Sequence, residues 1–346
     1  MKTTNQTPRR ITRVTPSLVL AATLITASLS ARVQGAEATN RTVIVLPPVQ
    51  SETRLVPSTI LFQNADGFLG TWFVQGTWLN SIGMLIPSQT GDPNWRVVGT
   101  GDFDGDKDMD VLFQHTDGTV AVWFMAGSEM TGASLLAPSH PGKGWRVASV
   151  ADFDRNGRPD LVFQHTDGRV SVWFMNGIRL ALPALVNPAE SANPEWRVVA
   201  SADFNQDAEP DLLLHHPTGK LGIWYINKVW PALASGTVNY DTRETAGIWF
   251  VNDIVWGREQ IPTAVDPGWR VMGARDMNGD GHADLLFQHT EGFMAVWTMK
   301  GSILQSSAFF NPIRSGEGWQ VVAVTDRFSE IGLSSSAASP SSTQTR

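Results

Sequence analysis

With 346 residues, no cysteine and a formal charge of −7, the chain has no disulfide staples to offer and lacks the basic excess that a nucleic-acid partner calls for. Glycine (31) and tryptophan (14) are plentiful and long runs of strong helix formers are missing, a mix that suits short strands and tight turns.

Residues 1–35 read as an export signal. Lys2, Arg9, Arg10 and Arg13 form a basic leader, Ser17 to Leu29 is apolar, and Val33-Gln34-Gly35 offers small side chains for cleavage before Ala36. The apolar run is too short to span a bilayer comfortably, so the mature chain is expected to be secreted or held at the cell surface without a membrane span. Residues 36–57 read as a polar linker.

From residue 58 the chain repeats itself. Trp95, Trp145, Trp196, Trp269 and Trp319 are each followed seven residues later by an aspartate, at Asp102, Asp152, Asp203, Asp276 and Asp326. A second series holds Trp72, Trp123, Trp173, Trp224, Trp249 and Trp297, and its members lie 28 residues beyond the first series wherever the intervening loop is intact (123 − 95, 173 − 145, 224 − 196, 297 − 269). Each period of 50 or 51 residues (173 − 123, 224 − 173) reads as four strands. Trp-Arg-Val-Val leads into an aspartate loop, an apolar strand such as Leu161–His165 follows, a Thr-Asp-Gly turn returns the chain through Val170–Met175, and a weaker outer strand closes the unit. Four-strand units at such periods mark an all-β propeller of antiparallel blades.

The two ends complement each other. The first repeat begins at Ile60–Gln63 without an opening strand, and the last supplies only Trp319–Val324. The final strand is therefore expected to complete the first blade and close the ring, which removes open sheet edges. Trp224 and Trp297 lie 73 residues apart (297 − 224), more than one period and less than two. This spacing reads as five full blades and a truncated one, in which Ala246–Asn252 and Ile254–Pro262 keep an outer hairpin. The propeller thus spans 58–330, and the Ser/Thr-rich tail 331–346 is expected to be disordered.

Asp152-Phe-Asp-Arg-Asn-Gly-Arg-Pro-Asp160 places oxygen side chains at its first, third, fifth and ninth positions, with glycine at the sixth. Hard cations such as calcium take six to eight oxygen ligands, and glycine permits the positive φ of a tight loop. A single loop of this kind could equally be an Asx-rich turn with no ion. In register, several copies force carboxylates together, which repels strongly without a cation.

This pattern, followed by Asp-Leu and an apolar strand, resembles the FG-GAP/VCBS repeat, found also in the propeller of integrin α-subunits and in a calcium-containing fungal lectin. The resemblance implies a calcium-stabilised propeller of the exported adhesion or carbohydrate-binding type. Family propellers usually have seven blades, and the count here departs from that. Carried over residue by residue, the loop gives up to four structural calcium sites: Asp102, Asp104, Asp106 and Asp110; Asp152, Asp154, Asn156 and Asp160; Asp203, Asn205, Asp207 and Asp211; Asp276, Asn278, Asp280 and Asp284. The seventh-position carbonyls of Asp108, Arg158, Glu209 and His282 complete the sets. Lys107 and Ala208 stand where Gly157 and Gly281 stand in the second and fourth loops. Around Asp326 the pattern fails.

The two tryptophan series read as core. Trp78, Trp230 and Trp256 lie outside them, are placed at the start of outer strands, and are candidates for stacking on a sugar or a partner protein. Gln63, Gln114, Gln164 and Gln288, with His115, His165 and His289, recur after the loop and read as a structural hydrogen-bond device. His215-His216 reads as a variant of that Gln-His pair. No nucleophile elbow, zinc helix or phosphate-cradling loop is present. The expected function is an exported binding or adhesion module for carbohydrate or a surface protein. A polysaccharide hydrolase or lyase and a purely structural protein-protein scaffold are the alternatives.

Overall fold

The computed structural model describes residues 57–186, 193–227, 250–256 and 266–325. The expected signal peptide, the linker before Pro57, the tail, Trp230, Trp249 and Asp326 lie outside them. The described residues contain strands and no helix, hence none long and apolar enough to cross a membrane.

The strands fall into five groups of four, each paired antiparallel in the order first, second, third, fourth. The first group is β20 (Gln320–Thr325), β1 (Pro57–Gln63), β2 (Phe68–Gln75) and β3 (Trp78–Gln89). The second is β4 (Trp95–Gly101), β5 (Asp110–His115), β6 (Val120–Ala126) and β7 (Glu129–Leu135). The third is β8 (Trp145–Ala151), β9 (Asp160–His165), β10 (Val170–Asn176) and β11 (Arg179–Leu185). The fourth is β12 (Arg197–Ala202), β13 (Asp211–His215), β14 (Leu221–Asn227) and β15 (Phe250–Trp256). The fifth is β16 (Trp269–Arg275), β17 (Asp284–His289), β18 (Phe293–Lys300) and β19 (Ile303–Arg314). Single-residue parallel bridges, Asn311 with Trp78 and Ile86 with Glu129, join the fifth, first and second groups edge to edge.

The last strand does complete the first group, with Thr59 to Gln63 of β1 paired to β20. Among the described residues there is no truncated sixth blade. Phe250–Trp256 pairs with β14 as the fourth strand of the fourth group, so the long spacing from Trp224 to Trp297 holds one period plus an insertion. That insertion, residues 228–249, separates β14 from β15 where the second and third groups use two residues, 127–128 and 177–178. Trp256 accordingly ends its strand, opposite Gly222, rather than beginning it.

Pattern explains position. Second strands such as β9, Asp-Leu-Val-Phe-Gln-His, are buried at every residue but the last, which is why both side-chain parities are apolar. Fourth strands such as β7 alternate exposed and half-buried residues, as expected of an outer strand with one face on the protein. Five apolar clusters fill the spaces between groups. Leu61, Leu69, Val97 and Phe113 join the first to the second. Leu112, Val122, Leu161 and Phe163 join the second to the third, and Val162, Phe174, Leu212 and Ile226 the third to the fourth. Leu213, Ile223, Leu285 and Phe287 join the fourth to the fifth, and Leu286, Val296, Ile60 and Phe62 the fifth back to the first. The first strands follow the same order, with β4 beside β8, β8 beside β12, β12 beside β16, β16 beside β20 and β20 beside β4.

A repeated polar clasp accompanies the apolar contacts. Gln63 donates to the Trp95 carbonyl at 2.9 Å and accepts from the Val97 amide at 3.0 Å. Gln114 does the same to Trp145 and Val147, Gln164 to Trp196 and Val198, and Gln288 to Trp319 and Val321. Each glutamine therefore caps the first strand of the next group as a neighbouring strand would, in line with a structural role. The histidine that follows Gln114, Gln164 and Gln288 packs on the first-series tryptophan, with ring centroids 5.0 Å apart for Trp95 and His115 and 5.1 Å for Trp145 and His165 and for Trp269 and His289. His216 takes the same place on Trp196, which leaves His215 where the glutamine belongs.

Candidate metal-binding loops

Each acidic loop joins a first strand to a second strand, and all four adopt one backbone course. The first-position aspartate folds the loop over itself. Asp152 accepts the Asn156 amide on Oδ1 at 3.0 Å and the Gly157 amide on Oδ2 at 2.8 Å, while Asp276 accepts the amides of Gly279 and Gly281 at 2.6 and 2.9 Å. Asp102 serves Gly105 and Lys107, and Asp203 serves Asp207 and Ala208. Third-position Asp104, Asp154, Asn205 and Asn278 each accept the amide of the fifth residue. Fifth-position Asp106, Asn156, Asp207 and Asp280 accept that of the seventh, at Asp108, Arg158, Glu209 and His282.

The sixth residue is left-handed in every loop: Lys107 at φ 77°, Gly157 at 80°, Ala208 at 69° and Gly281 at 85°. The fourth residue is left-handed too, at Gly105, Arg155, Gln206 and Gly279, a requirement the sequence reading missed. The glycines at 105 and 279 were its only signal. Among the described residues, the non-glycine positions with positive φ are Lys107, Arg155, Gln206 and Ala208, all within these loops. Backbone strain of this kind, about 1–2 kcal/mol per residue, is concentrated where something must hold the loop. Where the fourth residue carries a side chain, it reaches the next loop. Arg155 donates to the carbonyls of Asp207 and Ala208, both at 3.1 Å, and pairs with Glu209 at 2.9 Å, while Gln206 donates to the Gly281 carbonyl at 3.2 Å.

The ninth-position aspartates are fully buried. Asp110, Asp160, Asp211 and Asp284 each accept a loop amide, of Phe103, Phe153, Phe204 and Met277, and one from beside the bulge between third and fourth strands, of Met125, Met175, Ile226 and Met299; Asp160 also takes the Asp154 amide at 3.3 Å. Burial pushes all four carboxyls up to about 7. The two amide bonds to each oppose that shift, and the loop's other aspartates add to it.

The loops differ as cation holders. Carboxylate oxygens of Asp152, Asp154 and Asp160 lie within 4.8 Å of one another, as do those of Asp102, Asp104 and Asp106. In the third and fourth loops, Asn205 and Asn278 turn their amide nitrogens to Asp207 and Asp280, both at 3.0 Å. The donors are hard oxygens throughout, the set that a calcium ion takes. Of the tryptophans outside the two series, Trp78 is 59% exposed and begins β3, in the first group. His282 has a buried Nδ1 with no hydrogen-bond partner.

The family model described as FG-GAP-like repeat matches residues 102–163 and 152–214. No curated protein matches the chain. Among solved structures, the major allergen Mala s 1 of Malassezia sympodialis is similar at 9% identity over 72% of this chain and 74% of its own, with a TM-score of 0.36. The extracellular domain of BT4673 from B. thetaiotaomicron is similar at 12% identity, with a TM-score of 0.32; the match covers 73% of this chain and 33% of that one. The first three acidic loops, with the strands that follow them, thus match the FG-GAP-like repeat.

Proposed function

We propose that the protein is an exported, calcium-stabilised β-propeller of five blades, serving as a binding module for carbohydrate or a surface protein. The observation that carries this reading is the fourfold recurrence of one strained acidic loop, kept even where Lys107 and Ala208 must take a left-handed backbone. Asp152, Asp154 and Asp160 would hold one ion and Asp102, Asp104 and Asp106 another, and a bound cation supplies the charge that lets such carboxylates sit together. The cyclic order of the five apolar clusters and of the first strands supports a closed ring of blades.

The binding role is supported by exposed apolar side chains and by a cleft at the edge of the core. Trp78, Ile82, Met84 and Ile86 are exposed along β3. A cleft of about 290 Å³ on the second group is lined by Trp95, Trp123 and Leu135 with the hydroxyl-bearing Thr90 and Ser134. Aromatic walls with a few polar groups are what a small-ligand site offers.

Two measurements test the reading. Calcium titrated into chelator-stripped protein should bind, and should raise the melting temperature by about 5–10 °C at a hundredfold excess over Kd; an unchanged melting curve refutes the calcium assignment. A glycan array with the parent and Trp78→Ala should separate a lectin, whose sugar signal the variant weakens, from a protein-binding module with no sugar signal.

A further inference from the structure

The second residue of each first strand forms its own series: Arg96, Arg146, Arg197, Arg270 and, in β20, Gln320. The four arginines sit at the opening end of strands whose far end enters an acidic loop, so cationic and anionic ends are separated by roughly 17 Å of strand, five residues at about 3.3 Å each. Because β4, β8, β12 and β16 lie side by side, all four arginines come to that end; Arg96 is turned to the Ala65 carbonyl, which leaves Arg146, Arg197 and Arg270.

The grouping has local detail. Arg146 is half-buried and its guanidinium donates to Gln164 Oε1, the same oxygen that clasps Val198 beside Arg197. Its pKa is pushed down to about 10, by burial first and then by the charge of Arg197. Arg197 lies opposite His215 in the β12–β13 pair, and His215 in turn feels the charge of Arg270. Its Nε2 is buried with no hydrogen-bond partner. Among the described residues, none of Arg146, Arg197 and Arg270 pairs with a carboxylate, although the chain carries a net charge of −7. The charged side chains nearest in the chain are Lys143, Glu195 and Asp266, and the two carboxylates lie against His216 and His289 rather than against an arginine.

Like charges brought together without counter-ions repel, and a protein with a surplus of carboxylates has no shortage of them to place there. We propose that Arg146, Arg197 and Arg270 form a binding site for a compact oligoanion bearing carboxylate or sulfate groups, for which the guanidinium fork is the matching donor. The site uses only the adjacency of β8, β12 and β16, so it stands or falls separately from the calcium loops.

The test uses the full chain in calcium at low ionic strength, titrated with trigalacturonate, with sodium sulfate and with the neutral sugar maltotriose. Arg197 and Arg270 are exposed, so Arg197→Gln/Arg270→Gln leaves the core intact. The parent should bind one or both anions and not maltotriose. The double variant should lose at least about tenfold in affinity, or 1.4 kcal/mol, and added salt should weaken the parent's binding as screening grows. Without anion, the double variant should melt at or above the parent, because the repulsion is relieved. Preference for trigalacturonate assigns a uronate, and preference for sulfate assigns a sulfated ligand. Anion binding that is absent, or equal in parent and variant, overturns the proposal, as does a variant that melts below the parent without ligand.

Discussion

Replacing His215 by glutamine should make the protein more stable. Four of the five junctions between neighbouring groups carry a glutamine that both donates to and accepts from the next first strand. At the fourth-to-fifth junction His215 occupies that position, with a buried unpartnered Nε2. His215→Gln should restore two hydrogen bonds, to the Trp269 carbonyl and the Val271 amide, at about 1 kcal/mol each. A gain of about 2 kcal/mol corresponds to roughly 4–8 °C in a domain of this size. Burial, then Arg270 and His216, hold the His215 pKa below its usual value. A depressed folded pKa contributes stability above the unfolded value that is lost as pH falls, so the variant's advantage should widen from pH 7.5 to pH 5.5. Calorimetry of the parent, His215→Gln and the opposite change Gln164→Ala at both pH values decides it. If Gln164→Ala destabilises and His215→Gln still melts at or below the parent, the clasp is not what couples the fourth group to the fifth.

Lys107→Gly and Ala208→Gly should each stabilise by about 1 kcal/mol by removing a left-handed side chain, read as a melting shift and as tighter calcium binding in titration. Asp160→Asn should cost about 1–3 kcal/mol with or without calcium, because one of the two buried amides it serves loses its acceptor. Asp152→Asn should mainly reduce the calcium-dependent part of stability, and denaturant unfolding with and without chelator separates the two. In chelated protein, the raised carboxyls of Asp110, Asp160, Asp211 and Asp284 contribute stability that is full below the unfolded value near 3.8 and lost as pH rises through about 7. The melting difference between calcium and chelator should therefore be larger at pH 7.5 than at pH 5, and a pH-independent difference refutes that origin.

The repeat was legible because its two tryptophans and its aspartate keep fixed spacing, and fixed spacing survives whatever the strands do in three dimensions. The joining of Ile60–Gln63 to the last strand followed from the same count. The blade number did not, because a spacing of one and a half periods is silent about where extra residues enter. Trp249 and Trp256 imitate the series in composition, yet Phe250–Trp256 pairs as an outer strand behind the insertion 228–249. In the loops, the sixth-position turn was readable from Gly157 and Gly281, whereas the fourth-position turn was masked by Arg155 and Gln206, whose side chains bond to the next loop instead. The clasping glutamines were visible as a recurrence, but their partners lie 31 to 34 residues away in another group, beyond any local pattern.

The ninth aspartate shows why one sequence pattern can persist for two physical reasons. Its carboxylate ties the loop to the bulge between third and fourth strands through two buried amides, a duty that continues without any ion. Ionising it in that buried place is costly, as the rise to about 7 records, and the cost falls when a divalent charge sits among Asp152 and Asp154. In the proposed calcium-bound state, folding and cation binding would therefore draw on the same buried carboxylate. An ion that binds there acts on the second strand, the third strand and, through Arg155, the neighbouring loop together, which makes cooperative loss of adjacent loops on chelation the expected mode of unfolding.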